Sequence, residues 1–576
     1  VQHWICDNSS IPSFPDLEKM LKKYSAALLL TAVFGMTQVY ADGSRAAIAS
    51  AHPLATAAGF EILAKGGNVF DAAVAVSATL AVVEPSGSGL GGGGYWLLHR
   101  EADGFETMID GREKAPLAAH QAMFLDKTGK VIPQLSLDGA LAAAIPGMPA
   151  ALAHLSEKYG RLPLAETLQP AIRAAQNGFA IGEKHWKLLK FRSEAIKKSA
   201  QTAQIFLDHG NIPKPYSILR QRDLAHTLEQ LADSGRDGFY GGEIADKLVK
   251  GVNKAGGIWT KQDLTDYRVV EREPVRGHYR GIKVTSAAPS SSGGIVLIEA
   301  LNILSGYDLK RADALIRKHL IVEAMRRAYH DRALYLGDAD FIEMPVKRLL
   351  NDDYAAGLRS SLRLDKALPS TMLSGEIQAQ PEGINTSHFS IIDEQGNRVA
   401  ATLSINFPFG AGLVADGTGV LLNDEMDDFT ALPGAMNGYG LVGGLANAIA
   451  PGKRMLSSMA PTFLDDGQHV AALGTPGGSR ITSMVLLAAL DFAQGRQPDS
   501  WVQAPRFHHQ FMPDVVEYEK GAIAADELVG LAAMGHQLKQ ALYNYGDMQA
   551  VQWDKTTHQL TAASDRRGEG RAVIGH

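Results

Sequence analysis

Near residue 386 the chain changes character within a few positions. Residues 363–382 are rich in Pro, Ser, Gly and Gln and carry no apolar period, whereas residues 388–393 and 398–406 alternate and are rich in β-forming side chains. Between the two β-rich runs stands Glu394-Gln395-Gly396-Asn397. A three-residue loop over 394–396 suits a type I turn with Gly396 in the left-handed position that closes such hairpins. Asp393 then faces Asn397, the numbers of antiparallel partners sum to 790, and Thr386 falls opposite Ser404. Opposite residues share one face of a sheet, close enough for two hydroxyls to interact. A slip of one residue would reverse every face, so the inference depends on the turn type.

Threonine is an ordinary strand residue, and for most threonines packing is explanation enough. Thr386 differs in three respects: the polar stretch before it permits a cut, Ser404 is placed to hydrogen-bond its hydroxyl, and glycine-rich and serine-pair loops follow downstream. A threonine hydroxyl is a poor nucleophile without an adjacent base. A chain terminus created at Thr386 would supply one, because an α-amino group has a pKa of about 7.7 to 8.0.

Composition bounds the rest. A chain of 576 residues with 45% apolar and 20% charged side chains can bury a large core in two or three domains or in one interleaved body. A formal charge of −6 argues against nucleic acid or anionic membrane as the main partner and favours a small substrate. Met20, Lys22 and Lys23, the apolar run 26–34 and then Val39-Tyr40-Ala41 have the layout of a secretory signal peptide at 20–41, cut after Ala41. Its apolar run is too short for a permanent anchor, so the mature protein is expected to be soluble and secreted, with no membrane partner. Residues 1–19 precede a complete signal and are expected to be an extension that the cell does not make. The single cysteine, Cys6, lies there, which leaves the mature chain without disulfide or thiol chemistry.

Residues 46–83 read as a small-residue helical region, with helices at 57–64 and 70–83 split by Gly66-Gly67-Asn68. The run from Gly87 to Gly94 precedes a strand and lacks a lysine, so close backbone packing explains it better than a phosphate cradle. Residues 147–364 read as mainly helical scaffold, with amphipathic runs at 162–176 and 312–335. No His/Asp/Glu cluster shows metal-ligand spacing, and neither a metal nor another cofactor is expected.

Several long motifs occur in one order: Asp110-Gly111-Arg112-Glu113, Pro289 to Gly294, Asn385-Thr386-Ser387-His388-Phe389-Ser390, Asn423-Asp424-Glu425-Met426-Asp427-Asp428-Phe429, Tyr439-Gly440-Leu441-Val442-Gly443-Gly444, Arg454-Met455-Leu456-Ser457-Ser458-Met459 and Gly474-Thr475-Pro476-Gly477-Gly478-Ser479-Arg480. Together they resemble the γ-glutamyltransferase (glutathione hydrolase) family of N-terminal-nucleophile hydrolases, from Ala46 to the end. The resemblance implies an α/β (α+β) fold, a four-layer αββα sandwich formed jointly by two subunits cut from one precursor. Thr386 attacks the carbonyl of Asn385, giving a large subunit (42–385) and a small subunit (386–576) that stay together as a heterodimer in the bacterial periplasm. Thr386 then takes the γ-glutamyl group of a glutathione-like donor and passes it to water or an acceptor amine.

Such a substrate carries three charges to be matched. Arg112 with Ser457 and Ser458 suits the α-carboxylate; Asn406, Glu425 and Asp428 suit the α-ammonium; the backbone N–H groups of Gly477 and Gly478 suit the oxyanion. The resemblance places Tyr439 in a loop, 433–450, that covers the site. Three positions depart from the family pattern: Ser404 for the usual threonine, Glu425 where bacterial relatives often have glutamine, and Phe407-Pro408-Phe409, expected to form an aromatic wall at the acceptor site. Two rival readings remain: a glutaryl or cephalosporin acylase of the same fold, and a non-catalytic periplasmic binding protein for γ-glutamyl peptides.

Overall fold

The computed structural model describes residues 45–373 and 386–576. The expected signal peptide at 20–41, the expected extension 1–19 with Cys6, and Asn385 lie outside the described residues. Among the described residues no helix is long and apolar enough to cross a membrane.

Two antiparallel sheets carry the mixed α/β fold. The first runs Arg571–Gly575, Ala46–Ser50, Ser387–Asp393, Arg398–Ser404, Gly93–Arg100, Phe105–Gly111 and Val270–Arg272. The second runs Leu560–Ser564, Gln549–Asp554, His469–Gly474, Thr462–Asp465, Ile282–Ser286 and Val275–Tyr279. The hairpin lies at the centre of the first sheet. Leu403 pairs with Ser387, Thr402 with His388 and Arg398 with Ile392, so partners sum to 790 as the turn chemistry predicts. Gly396 has φ 91° and donates to Asp393 O at 3.1 Å, while Asp393 N donates to Asn397 O at 3.0 Å. The Asp393 carboxylate takes the N–H groups of Gln395 and Asn397 at 3.0 and 2.9 Å, which pins the register.

The two-residue period of the strands divides the core in two. Phe389, Ile391, Val399, Ala401 and Leu403 join the core shared with the helix Val69–Val83. Ile392 and Ala400 join the core that holds Leu473 and Val551 of the second sheet. Helices Pro53–Ala64 and Val69–Val83 pack on the first sheet, Gly293–Ser305 and Ile481–Phe492 on the second, and the two sheets pack on each other. Asn68 caps Val69–Val83 through the N–H groups of Phe70 and Asp71, so the break at Gly66-Gly67-Asn68 is a helix start.

Three segments differ from expectation. Ala46–Ser50 is a strand, not helix: its small residues have little β preference, but strands pair with it on both edges. Val270–Arg272, Val275–Tyr279 and Ile282–Ser286 are short strands inside the stretch read as helical. Each is too short for its alternation to stand out. The run 162–176 divides into Leu164–Thr167 and Gln169–Asn177, with Pro170 in the first turn of the second helix. Phe407 and Phe409 are both buried, Phe407 packed on Tyr439 at 5.4 Å and Phe409 on His185 and Phe206 at 5.3 and 5.4 Å.

Candidate active site

Thr386 precedes the first strand of the hairpin, and parity puts it on the face of His388 and Ser390, toward the second sheet. This inner row is polar and linked. His388 Nδ1 lies 2.8 Å from Thr402 Oγ1, His388 Nε2 lies 3.1 Å from Ser390 Oγ, and Ser390 Oγ donates to Gln549 O at 3.2 Å. Burial lowers the pKa of His388 to about 3, so its ring is neutral and both its nitrogens have partners. The second sheet approaches His388 closely, since a Cβ on Gly474 would lie 2.3 Å from the ring. The chain then leaves that strand as Thr475-Pro476-Gly477-Gly478, beside Thr386.

Gly477 and Gly478 have φ 144° and 56°. At Gly478 a side chain would also meet the Tyr439 ring at 2.3 Å, so only glycine fits. Among the described residues neither N–H of this pair has a protein acceptor. The other glycine run works by contact: a Cβ on Gly91 or Gly92 would come within 2.1 Å of Leu421 O or 2.0 Å of Ser404 O. Close backbone packing, rather than a phosphate cradle, is what this run provides, and it presses against the end of the Ser404 strand.

Ser404 Oγ accepts the N–H of Asn406 at 2.8 Å. Asn406, at φ 70°, turns the chain out of the sheet; its Nδ2 donates to Asp424 O at 3.0 Å and its carbonyl accepts the Tyr439 hydroxyl at 2.8 Å. The acidic turn Glu425–Asp428 is hung from Asn423, whose amide bonds Gly91 O, Ala144 O, Ala144 N and Glu425 N at 2.7 to 3.0 Å. Arg112 reaches this turn from the end of the strand Phe105–Gly111. Its Nη1 is 2.6 Å from Glu425 Oε2 and 3.5 Å from Glu113 Oε2, and Nη2 pairs with Asp428. The proposed cation and the two proposed carboxylates therefore form one buried ion-paired group. Burial, against the pull of Arg112 and the Ser404 hydroxyl, pushes Glu425 up to about 7. Glu113 rises well above the carboxylate range through burial and the neighbouring Glu425 charge. Asp427, bonded by Ser136 and Gly438 N at 2.7 Å each, is raised by burial to about 7.

Arg112, Thr386, Ser404, Asn406, Asp428, Tyr439, Ser457, Ser458 and Gly478 line one small cavity with Leu441, Met459, Ser479 and Ile481. Glu425 pairs with Arg112 of this lining, and Gly477 adjoins Gly478 in the chain. Among the described residues the lining has no histidine, lysine or cysteine and one carboxylate, Asp428, which is held by Arg112 and, at 3.1 Å, by Asn437 Nδ2. Asn437 also accepts the N–H groups of Tyr439 and Leu441 at 3.0 and 3.1 Å, which couples the covering loop to Asp428.

Sequence reasoning passed over Asn423, Asn437 and Glu113, although Asn423 and Glu113 fall inside motifs quoted for other residues. It also passed over a cluster of His319, Glu323 and His536, whose possible ligand atoms lie within 4.8 Å of one another. His319 and Glu323 are one helical turn apart, but His536 is remote in sequence. In this cluster Glu323 pairs with Arg326 at 3.1 Å and Arg327 at 2.7 Å, and His319 bonds His536 at 2.8 Å and Arg363 O at 2.7 Å. Two guanidinium groups on the carboxylate make this an ion-paired network that opposes a further cation.

A buried hydroxyl at the start of a central strand, an adjacent pair of glycine N–H groups and a buried ion-paired group are the equipment of acyl transfer through a hydroxyl nucleophile. The sequence profile described as gamma-glutamyltranspeptidase matches residues 55–575, and the chain belongs to that family. It is 43% identical to a glutathione hydrolase proenzyme of Pseudomonas sp. (strain A14), over 89% of this chain and 91% of that one. It is 41% identical to a glutathione hydrolase proenzyme of Escherichia coli (strain K12), over 92% and 91%. In structure it is similar to a cephalosporin acylase from Bacillus halodurans, with a TM-score of 0.80 at 29% identity over 92% of this chain and 96% of that one.

Proposed function

We propose that the chain is a self-processing γ-glutamyltransferase and glutathione hydrolase in which Thr386 is the nucleophile twice. In the first event its hydroxyl attacks the carbonyl of Asn385, the peptide becomes an ester, and water releases a large subunit (42–385) and a small one (386–576). In the second, Thr386 Oγ attacks the γ-carbonyl of a glutathione-like donor, the donor amine leaves with a proton, and the γ-glutamyl ester is resolved by water or an acceptor amine.

The observation that carries this reading is the cavity lining: among the described residues it offers, beside Thr386, no histidine, lysine or unpaired carboxylate to take the hydroxyl proton. Neutral His388 is already bonded on both nitrogens. The α-amino group made by the cut fills that vacancy with a suitable pKa. Sheet topology supports a stable pair of fragments. Each large sheet mixes strands from both sides of residue 386, so cutting there leaves two chains interleaved in one four-layer αββα sandwich.

In the donor complex the N–H groups of Gly477 and Gly478 hold the oxyanion. Ser457, Ser458 and Arg112 receive the α-carboxylate; Asn406, Glu425 and Asp428 receive the α-ammonium; Tyr439 covers the site. The signal at 20–41 directs the protein to the periplasm. The receptor for an α-ammonium separates this reading from the acylase one, since a glutaryl group lacks that charge. Initial rates on γ-glutamyl-p-nitroanilide and glutaryl-p-nitroanilide test it: the γ-glutamyl substrate is expected to be cleaved faster, and equal or faster glutaryl cleavage would overturn the assignment.

A further inference from the structure

The positive charge around Ser457 and Ser458 has a second source. Arg332 projects from the last turn of the helix Ala314–Tyr335 and is 5% exposed. Its Nε donates to Ser292 Oγ at 3.0 Å and its Nη2 to Ser458 Oγ at 3.3 Å, and among the described residues no carboxylate pairs with it. Its buried neighbours are treated differently. Arg326 and Arg327 share Glu323, Arg454 has Asp110, and Arg112 has Glu425 and Asp428. A buried guanidinium with hydroxyl partners alone is costly, and an arriving anion relieves that cost. Burial pulls its pKa down, with the more distant Asp428 charge opposing.

Hydrogen-bond roles give this charge a direction. Guanidinium groups have no acceptor, so Ser458 Oγ accepts from Arg332 and turns its own O–H elsewhere. Ser458 lines the cavity. Ser457 Oγ accepts the N–H of Met459 at 3.1 Å, which leaves its O–H available as well. Ser292 locks the arrangement from behind by accepting from Arg332 and donating to Ser457 O at 2.6 Å. Arg112, in contrast, already faces two carboxylates.

We propose that Arg332 is the positioning residue of the α-carboxylate site: it aims the Ser458 hydroxyl into the cavity as a donor and supplies the charge that favours donors bearing an α-carboxylate. This rests on the reading of Ser457 and Ser458 as the carboxylate receptor. The α-carboxylate then offsets the field of Arg332, while the α-ammonium meets the group around Glu425.

The test compares Arg332→Gln, Arg332→Lys and Ser458→Ala on γ-glutamyl-p-nitroanilide and on 4-aminobutyryl-p-nitroanilide, the same donor without its α-carboxylate. Fragment pattern and thermal midpoint report folding. Arg332→Gln is expected to raise KM for the γ-glutamyl substrate by about 10- to 100-fold, the worth of a charge-assisted hydrogen bond, with kcat moved less and the 4-aminobutyryl substrate little affected. Arg332→Lys keeps the charge but not the fork, and should recover part of the discrimination. If the glutamine variant does not fold, the lysine variant carries the comparison, with a smaller rise in KM confined to the γ-glutamyl substrate. Equal loss on both substrates overturns the proposal. If Ser458→Ala discriminates between the substrates and the Arg332 variants do not, the inference alone fails; if Ser458→Ala does not discriminate either, the receptor reading itself fails.

Discussion

The two walls of the cavity are built by different physics. The hairpin wall, Thr386 to Ser404, is fixed by backbone pairing, one turn and a polar inner row whose histidine is neutral. The receptor wall gathers Arg112, Glu425 and Asp428 from distant segments and is held by buried charge against charge. Register is insensitive to pH and survives most side-chain changes, whereas a buried ion-paired group depends on every member and on protonation. In the proposed mechanism the nucleophile is thus placed by geometry and the substrate chosen by charge.

The largest effect should separate the walls outright. Thr386→Ala is expected to give an uncut chain and to lower kcat by a factor on the order of 10⁶, the scale seen when a hydroxyl nucleophile is removed, with little change in thermal midpoint. Arg112→Leu should act on stability as well as on donor binding. It leaves Glu425, Asp428 and Glu113 facing one another without their cation, and unfolding should become easier by about 3–5 kcal/mol, measured by denaturant titration. If Arg112→Leu left stability untouched, the contrast between the walls would be wrong.

Gly478→Ala tests the seam between them. Strain at φ 56° and the contact with Tyr439 should move the N–H donor and cost about 10²–10³ in kcat, the range for losing an oxyanion donor, with a smaller change in KM.

The smallest effect concerns pH. Folded Glu425 has a pKa raised from 4.5 to about 7, so between those values the native state keeps a proton that the unfolded chain has released. Its contribution to stability is therefore lost as pH rises from about 4.5 to about 7, and is constant above. Glu425→Gln removes that loss. The stability of the variant minus that of the wild type should grow across this window and level off beyond it, as read from thermal midpoints at a series of pH values. Asp427, raised by burial as well, is common to both proteins and cancels. A difference independent of pH would place Glu425 in a more solvated setting than the structure shows.

The same contrast explains what the sequence disclosed. Gly396 and Asp393 determine a turn, the turn determines a register, and the register sets Thr386 opposite Ser404. The capped helix starting after Asn68 and the close-packed run at Gly91 and Gly92 were legible for similar local reasons. Ala46–Ser50 was not, because its pairing partners lie more than 300 residues away and its own side chains do not ask for a strand. The receptor residues were found through family likeness rather than spacing, since nothing local links Arg112 to Glu425. Arg332 was hidden in a helix that reads as scaffold; three buried arginines at 326, 327 and 332 were the available signal.

All of this depends on where the chain is cut. Sequencing the N-terminus of the smaller fragment from active protein tests that directly. The account predicts Thr386-Ser387-His388 as the first residues; a different terminus, or a single uncut chain with full activity, would contradict it.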